Sequence, residues 1–193
     1  MNIGVINLLD VCREGSYALG PGLRYVIWTK GCPFNCSGCI TPEGKDISGG
    51  YVVDIKDLVE DIVNNPQLFG ITISGGEPFL QAEALSETLS LIKKNRPDIN
   101  VLIFSGYKIE DLIWPEAKKV LSLTDVLIDG KYVDDLNDGI GLRGSSNQRI
   151  HYLTERLISY RHSLEHGKRD VEIYLDGKQL KTIGIPQLKN KLS

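Results

Sequence analysis

The stretch "LRYVIWTKGCPFNCSGC", residues 23–39, joins a β-rich run to a tight group of cysteines. Its first seven residues carry β-branched and aromatic side chains and predict a strand that runs into the cysteine loop. The loop holds three of the chain's four cysteines, Cys32, Cys36 and Cys39, in the spacing C-x3-C-x2-C. Cysteines in a reducing compartment are mostly free thiols, so a group this tight indicates a metal site rather than disulfides.

Strands and helices alternate from this stretch to residue 130. Apolar residues in the helical segments recur at i, i+3, i+4 and i+7, whereas the strand segments are short and continuously apolar. Such strands joined by helices predict a parallel sheet with right-handed crossovers. The predicted strands after 23–29 are 70–74, 100–105 and 124–130, and the predicted helices are 54–65 with Asp54 as N-cap, 81–95, and 108–123 with a break at Pro115.

The chain of 193 residues is too short for a complete (β/α)8 barrel, which takes about 250 residues. The pattern therefore predicts an α/β fold: a partial, laterally open (β/α) barrel in a single domain over 1–193. Its core is expected at 23–150, followed by a C-terminal extension at 151–193. Within the last part, "RIHYLTERLISY" is ambiguous between strand and helix, and "VEIYLDGKQLKTIGI" predicts a β-hairpin around Asp176-Gly177.

The polar and glycine-rich loops all follow predicted strands. These loops are "KGCPFNCSGC", "GGEPF", "GYK" and "GKY". The carboxyl ends of parallel strands meet at one edge of a sheet, where α/β proteins form their sites. We therefore expect the four loops to lie together on one rim.

Composition and charge limit the function classes. Hydrophobic residues make up 41% and charged residues 24%, and the formal net charge is −3. This balance is typical of a globular protein, and it gives no electrostatic indication of a nucleic-acid partner. The N-terminus has no basic segment of a signal peptide, and no apolar run approaches 18 residues. We expect a cytoplasmic protein with no membrane contact.

Three cysteines leave a ligand set incomplete. A structural zinc ion takes four ligands, and the nearest histidine, His151, is more than a hundred residues away in sequence. Cys12 could be a fourth ligand if the fold brought it to the loop, although an inert buried thiol is the commoner fate of such a residue. An iron–sulfur cluster held by three thiolates leaves one iron open to an exogenous ligand. Zinc is the weaker of the two interpretations, but both stand at this point.

Two motifs resemble those of the radical S-adenosylmethionine (SAM) superfamily. "CPFNCSGC" (32–39) resembles its C-x3-C-x2-C motif after the first barrel strand, and "ITISGGEPFLQ" (71–81) resembles its Gly-Gly-Glu-Pro motif after the next strand. The resemblance implies a [4Fe–4S] cluster on Cys32, Cys36 and Cys39. It also implies that SAM chelates the open iron and is reductively cleaved to a 5′-deoxyadenosyl radical.

The same resemblance implies residues that bind SAM. Gly75 and Gly76 would let the backbone approach the methionine end, Glu77 would accept from its ammonium group, and Pro78 would fix the turn. Ser105, in "FSGY", resembles a Ser/Thr-Gly pair of the activating enzymes in the superfamily, although its hydroxyl could equally cap a helix.

One position departs from the superfamily pattern. Many members carry an adenine-contacting aromatic residue just before the third cysteine, where this chain has Gly38. The subgroup that activates anaerobic ribonucleotide reductase also has glycine there. The resemblance to that subgroup implies that backbone near Gly38 and Ile40 holds the adenine.

A further stretch, "DVLIDGKY" followed by "GLRGSSNQR", resembles the activating proteins of glycyl-radical enzymes. The resemblance implies that Arg143, Asn147 and Arg149 bring donors to SAM or to the partner. The ordinary interpretation of this stretch is a polar turn. The implied partners are a glycyl-radical enzyme, as protein substrate, and an electron donor of the flavodoxin or ferredoxin type.

Two other functions remain open from the sequence. The same radical chemistry could act on a nucleobase precursor or a peptide, and the cysteines could belong to a non-catalytic metal-binding module. The stretch "RGSSNQR" favours an activase over the first. The Gly-Gly-Glu-Pro loop has no explanation under the second.

Overall fold

The computed structural model describes residues 4–176 and 179–186, which form a mixed α/β fold around a seven-stranded sheet. The strands of this sheet are β1 (Val5–Ser16), β2 (Arg24–Thr29), β3 (Tyr51–Asp54), β4 (Gly70–Gly75), β5 (Asn100–Ser105), β6 (Val126–Asp129) and β7 (Arg149–Tyr152). Their order across the sheet is β3-β1-β2-β4-β5-β6-β7. The four central strands β2, β4, β5 and β6 run parallel, while β1, β3 and β7 pair antiparallel to their neighbours. The predicted parallel sheet is confirmed; the barrel form stays a prediction.

Two helices match their predicted bounds, 54–65 and 81–95, to within two residues, whereas the predicted helix 108–123 begins only at Pro115, after a 3-10 turn at Ile109–Asp111. The fourth helix was not predicted. The helices are α1 (Ile55–Val63), α2 (Ala82–Asn95), α3 (Pro115–Ser122) and α4 (Arg161–His166), with short 3-10 turns between them. Asp54 caps α1 as predicted, since its Oδ1 accepts the Lys56 amide hydrogen at 2.8 Å. Pro115 stands at the first turn of α3, where its missing N–H costs nothing. Among the described residues, no helix combines the length and apolarity needed to span a membrane.

Alternate residues of the central strands supply two cores. Ile71 and Ile73 of β4 face α1, α2 and α3, which cover one side of the sheet. Val26 and Leu102 face the other side, where the C-terminal part of the chain packs against them, including Leu157 and Ile183. The second face is therefore closed by residues beyond the alternating βα part.

The C-terminal hairpin is confirmed. It consists of β8 (Val171–Asp176) and β9 (Gln179–Gly184), which pair antiparallel and form a separate two-stranded sheet. The two residues between the strands, 177 and 178, lie outside the described residues. The hairpin packs on β1, because the Tyr174 hydroxyl donates to the Gly15 carbonyl at 3.0 Å.

Sequence analysis missed β1 and β3 and left β7 undecided. The pairing of β1 with β2 shifts register between Leu8 and Asp10 and again between Cys12 and Ser16. Such bulges break the period-2 alternation by which a strand is identified. The ambiguous segment "RIHYLTERLISY" contains a strand and then a helical turn, because β7 is followed by a 3-10 helix at Glu155–Tyr160.

Candidate cluster and ligand site at the carboxyl edge of the sheet

The four predicted rim loops meet around one cavity of about 590 Å³. Each loop contributes to the wall: Cys36 from the first, Gly76 from the second, Gly106 from the third and Tyr132 from the fourth. The prediction that these loops share a rim is confirmed. A cavity of this size is within the range of small-molecule sites, about 300–1,000 Å³.

Cys32, Cys36 and Cys39 all line this cavity as free, half-buried thiols. Burial raises the pKa of Cys32, so a bound metal cation is needed to favour its thiolate. In the part of the chain that the structure describes, no three Cys, His, Asp or Glu side chains lie close enough to hold a single metal ion. Three thiolates are a donor set that an iron–sulfur cluster uses, with each thiolate binding a different iron. The donor set fits an iron–sulfur cluster held by three thiolates.

Cys12 is separate from the other three cysteines. It lies in β1 opposite Val26, is 3% exposed, and donates its S–H to the Gly15 carbonyl at 3.4 Å. Burial raises the pKa of this thiol. Its packing in the second core agrees with an inert thiol.

The cysteine loop is held by backbone hydrogen bonds. The Gly31 amide donates to the Gly44 carbonyl at 2.8 Å, and the Cys32 amide donates to the Lys45 carbonyl at 3.0 Å. The Glu77 amide in turn donates to the Gly31 carbonyl at 2.8 Å. The Gly-Gly-Glu-Pro loop and the cysteine loop are thus joined through main-chain atoms.

Phe34 anchors the cysteine loop to two other rim loops, a role that sequence analysis missed. Its ring makes an edge-to-face contact with Tyr107, with centroids 4.8 Å apart, and Lys131 Nζ lies 4.9 Å from the ring centroid. The ring occupies the space that a side chain at Gly106 would take, because a Cβ there would lie 2.5 Å from it. A lone aromatic residue within a loop of small and polar residues was the available signal.

Gly76 is required by contact between loops. A Cβ at this position would lie 2.1 Å from the Gly31 carbonyl oxygen and 2.7 Å from the Gly44 carbonyl oxygen. Gly75 has φ +107°, in the region that favours glycine, and its Cβ would lie 2.4 Å from the Thr29 amide nitrogen. Both glycines also line the cavity, and their contact with SAM stays a prediction.

Glu77 is buried and binds neighbouring loops. Its carboxylate accepts from the Ser105 hydroxyl at 2.9 Å, the Gly106 amide at 2.7 Å and the Phe79 amide at 3.0 Å. Burial raises the pKa of Glu77 to about 7, although these hydrogen bonds oppose the rise. Pro78 follows it, buried, at the start of a 3-10 helix. Contacts of Glu77, Pro78 and Ser105 with SAM stay predictions, and the observed partners give Glu77 and Ser105 a role in joining two rim loops.

The conformation of Gly38 accounts for the missing aromatic residue. Its φ is +68°, and a Cβ would lie 2.7 Å from Asp134 Cγ of the fourth rim loop. No larger side chain fits there without moving that loop. Ile40, two residues later, is 38% exposed and lines the cavity, where the predicted adenine contact would be.

Gln148 belongs to the cavity wall and was not among the predicted site residues. Its Oε1 accepts from the Gly144 amide at 2.8 Å, and its Nε2 donates to the Gly130 carbonyl at 2.7 Å. The adjacent Asn147 is exposed and donates its Nδ2 hydrogen to the Lys131 carbonyl at 2.8 Å. These bonds fasten the "RGSSNQR" stretch to the loop after β6.

Arg149 forms ion pairs on the rim. Its guanidinium binds both carboxylate oxygens of Glu110 at 2.7 Å and donates Nε–H to Asp129 Oδ1 at 3.0 Å. The pKa of Glu110 falls to about 2 because Arg149 donates to it. Burial opposes the ionisation of Asp129, but hydrogen bonds from Arg149 and the Ile109 amide, together with His151, hold its pKa below the usual range. Arg143 pairs with Asp138 at 2.8 Å. The donors of Asn147 and Arg149 thus have protein acceptors, and their contact with SAM stays a prediction.

Comparisons with known proteins agree with this site. The family described as "4Fe-4S single cluster domain" matches residues 18–151. Proteins named anaerobic ribonucleoside-triphosphate reductase-activating protein are similar to the chain. The one from Escherichia coli (strain K12) is 32% identical over 142 residues, 69% of this chain and 91% of that protein. The one from Haemophilus influenzae (strain Rd) is 33% identical over a match that covers 68% of this chain and 89% of that protein. The one from Enterobacteria phage T4 is 32% identical over a match that covers 68% of this chain and 85% of that protein.

Proposed function

The chain belongs to the family of anaerobic ribonucleoside-triphosphate reductase-activating proteins and to the 4Fe-4S single cluster domain family, and from this membership we propose that it activates such a reductase by removing an α-hydrogen from one of its glycines. One observation carries the proposal. Three free thiols, and three only among the described residues, open into the same cavity as the Gly-Gly-Glu-Pro loop. That combination supports a cluster with an open iron beside a glycine-rich backbone.

The proposed cofactors are a [4Fe–4S] cluster and SAM. Cys32, Cys36 and Cys39 hold the cluster, which leaves one iron without a protein ligand. The backbone of Gly75 and Gly76 and the segment Gly38–Ile40 border the space for SAM. When bound, the two groups supply a 5′-deoxyadenosyl radical after one-electron reduction.

The remaining predicted site residues act by shaping this space. Glu77 and Ser105 hold the second and third rim loops together, and Pro78 fixes the turn that leaves β4. Asn147 and Arg149 fasten the fourth rim loop. A fixed wall keeps a reactive species next to its target.

The protein's setting follows from the same proposal. We place the chain in the cytoplasm, where a flavodoxin- or ferredoxin-type protein reduces the cluster, and we treat residues 1–193 as one domain. A partial, laterally open barrel suits this role, since a loop of a partner protein must enter the cavity from the open side. Free thiols at all four cysteines suit a reducing compartment.

Electron paramagnetic resonance tests the proposal. The anaerobically reconstituted protein, reduced and given SAM and the cognate anaerobic reductase, should yield an organic radical with a doublet splitting. That splitting should collapse when the reductase carries glycine deuterated at the α-carbon. The Cys36→Ala variant is the matched control and should give no signal. SAM cleavage driven instead by a nucleoside or a short peptide, with no glycyl signal from the reductase, would replace this function with the small-substrate alternative.

A further inference from the structure

The cavity extends beyond the space assigned to SAM. Its wall runs across the sheet from β1, which supplies Asp10, to the loop after β6, which supplies Tyr132. The space assigned to SAM is bordered by Gly75 and Gly76 at the end of β4 and by the segment Gly38–Ile40 in the loop after β2. The β1 end is lined instead by the hairpin, including Lys181 and Thr182. The family model ends at residue 151, so the hairpin is a wall that the model does not include.

A charged pair lies at this β1 end. Lys181 Nζ is 2.6 Å from Asp10 Oδ2 and donates to the Val11 carbonyl at 2.9 Å. It also lies 5.1 Å from the centroid of the Trp28 ring. Asp10 lies opposite Trp28 in the sheet. Trp28 is one residue before the end of β2, so this position is next to the start of the cysteine loop. Among the described residues that line the cavity, Lys181 is the one lysine or arginine.

The surroundings of the pair are apolar. Leu9, Leu19, Trp28 and Ile185 line the same end of the cavity, and Leu19 and Ile185 are buried. These apolar side chains flank a pair that is itself partly open to solvent. The side chains of Lys181 and Asp10 remain 31% and 47% exposed, so a ligand can reach both.

A glycine offers no side chain to a binding site. A segment that presents a glycine is recognised there through backbone N–H and C=O groups, for which adjacent acceptor and donor side chains are the match. Building on the proposed function, we infer that the β1 end of the cavity, centred on Lys181 and Asp10, receives the glycine segment of the partner reductase. Lys181 Nζ donates to a peptide carbonyl, and the Asp10 carboxylate accepts from a peptide N–H.

The test measures binding without turnover. The probe is a synthetic peptide that spans the radical-site glycine of the cognate reductase, titrated against the reconstituted protein with SAM present. Lys181→Met keeps the apolar stem and removes the donor, and Asp10→Asn removes the charge of the acceptor. Each should weaken peptide binding about tenfold, as expected for a lost hydrogen bond to a charged group, and should weaken SAM binding less. Lys118→Met, at an exposed position of α3, is the matched control and should leave both affinities unchanged.

The double variant adds a second measurement. Because the two side chains are in contact, Lys181→Met combined with Asp10→Asn should lose less affinity than the sum of the two single losses. Peptide affinity equal to wild type in both single variants would overturn the inference. So would a Lys181→Met variant that loses SAM affinity as much as peptide affinity, because the pair would then belong to the SAM site. A wild-type protein that binds no peptide also overturns it, whereas the glycyl signal with intact reductase decides the proposed function separately.

Discussion

The Glu77 carboxylate accepts a hydrogen bond from the Ser105 hydroxyl at 2.9 Å, so the ends of two adjacent parallel strands, β4 and β5, are tied by a buried side-chain contact. Glu77 is 1% exposed and Ser105 is 4% exposed. Sequence analysis predicted that both residues contact SAM. Their observed contact with each other shows that they hold the rim loops in position.

The buried Glu77 predicts a pH-dependent stability of the apoprotein. Its pKa rises from the ordinary 4.5 to about 7, so between these values the folded chain holds a proton that the unfolded chain has released. The free energy of unfolding should therefore fall as pH rises through this window, by up to about 3 kcal/mol. Glu77→Gln should flatten the slope in denaturant titrations between pH 5 and pH 7. Glu116→Gln, at an exposed site of α3, should keep the wild-type slope; equal slopes for wild type and Glu77→Gln would refute the assignment.

Gly76→Ala should weaken both the fold and the cluster site. The added Cβ would meet the Gly31 and Gly44 carbonyl oxygens, and the loop that carries the cysteines must move to relieve the clash. We expect a loss of about 1–3 kcal/mol in the free energy of unfolding and a lower iron content after reconstitution. Gly4→Ala is the control, because its Cβ would have no atom within 4 Å. If the variant kept its full iron content but bound SAM more weakly, the added methyl group would be affecting the SAM site rather than the cysteine loop.

We expect three of the four cysteines to be cluster ligands and Cys12 to have no part in binding iron. Alanine at Cys32, Cys36 or Cys39 should abolish the iron–sulfur absorption, whereas Cys12→Ala should retain the wild-type count of about four irons per chain. The reason is position: Cys12 packs inside the second core, opposite Val26. Iron and sulfide assays with visible spectra measure the outcome. Loss of the cluster in Cys12→Ala to the same degree as in Cys36→Ala would mean a four-ligand site.

Arg149→Ala should reduce activation more than it reduces iron content. The change leaves the buried Asp129 carboxylate without its guanidinium partner and frees the rim loop, which lowers stability. Spins per protein in the glycyl radical assay, divided by iron per protein, give the measure. Arg161→Ala removes an exposed pair with Glu165 and serves as control. A fall in iron that accounts for the whole fall in radical would assign Arg149 to cluster assembly.

The periodic part of the chain was predictable and the edges were not. Runs such as 70–74 and 100–105 are continuously apolar because they are covered on both faces, and that pattern survives in the sequence. The edge strand β1 carries two register shifts, so its alternation is broken and it was not recognised. The start of a helix was predictable where a single side chain caps it, as Asp54 does for α1.

The site was predictable in its ligands and less so in its supports. The spacing of the three cysteines and the position of Gly-Gly-Glu-Pro after a strand indicate the same rim that the structure forms. Phe34, Gln148 and Lys181 contribute through residues that are distant in sequence, and one-dimensional patterns carry no record of such pairs. The hairpin wall was foreseen as a hairpin but not as part of the cavity.

The main-chain bonds between Gly31, Gly44 and Glu77 bear on what happens after oxygen damage. They involve no sulfur atom, so the mould around the cysteines does not depend on iron for its shape. We therefore expect a chain that has lost its cluster to keep these main-chain bonds, so that iron and sulfide can rebuild the cluster without refolding of the chain.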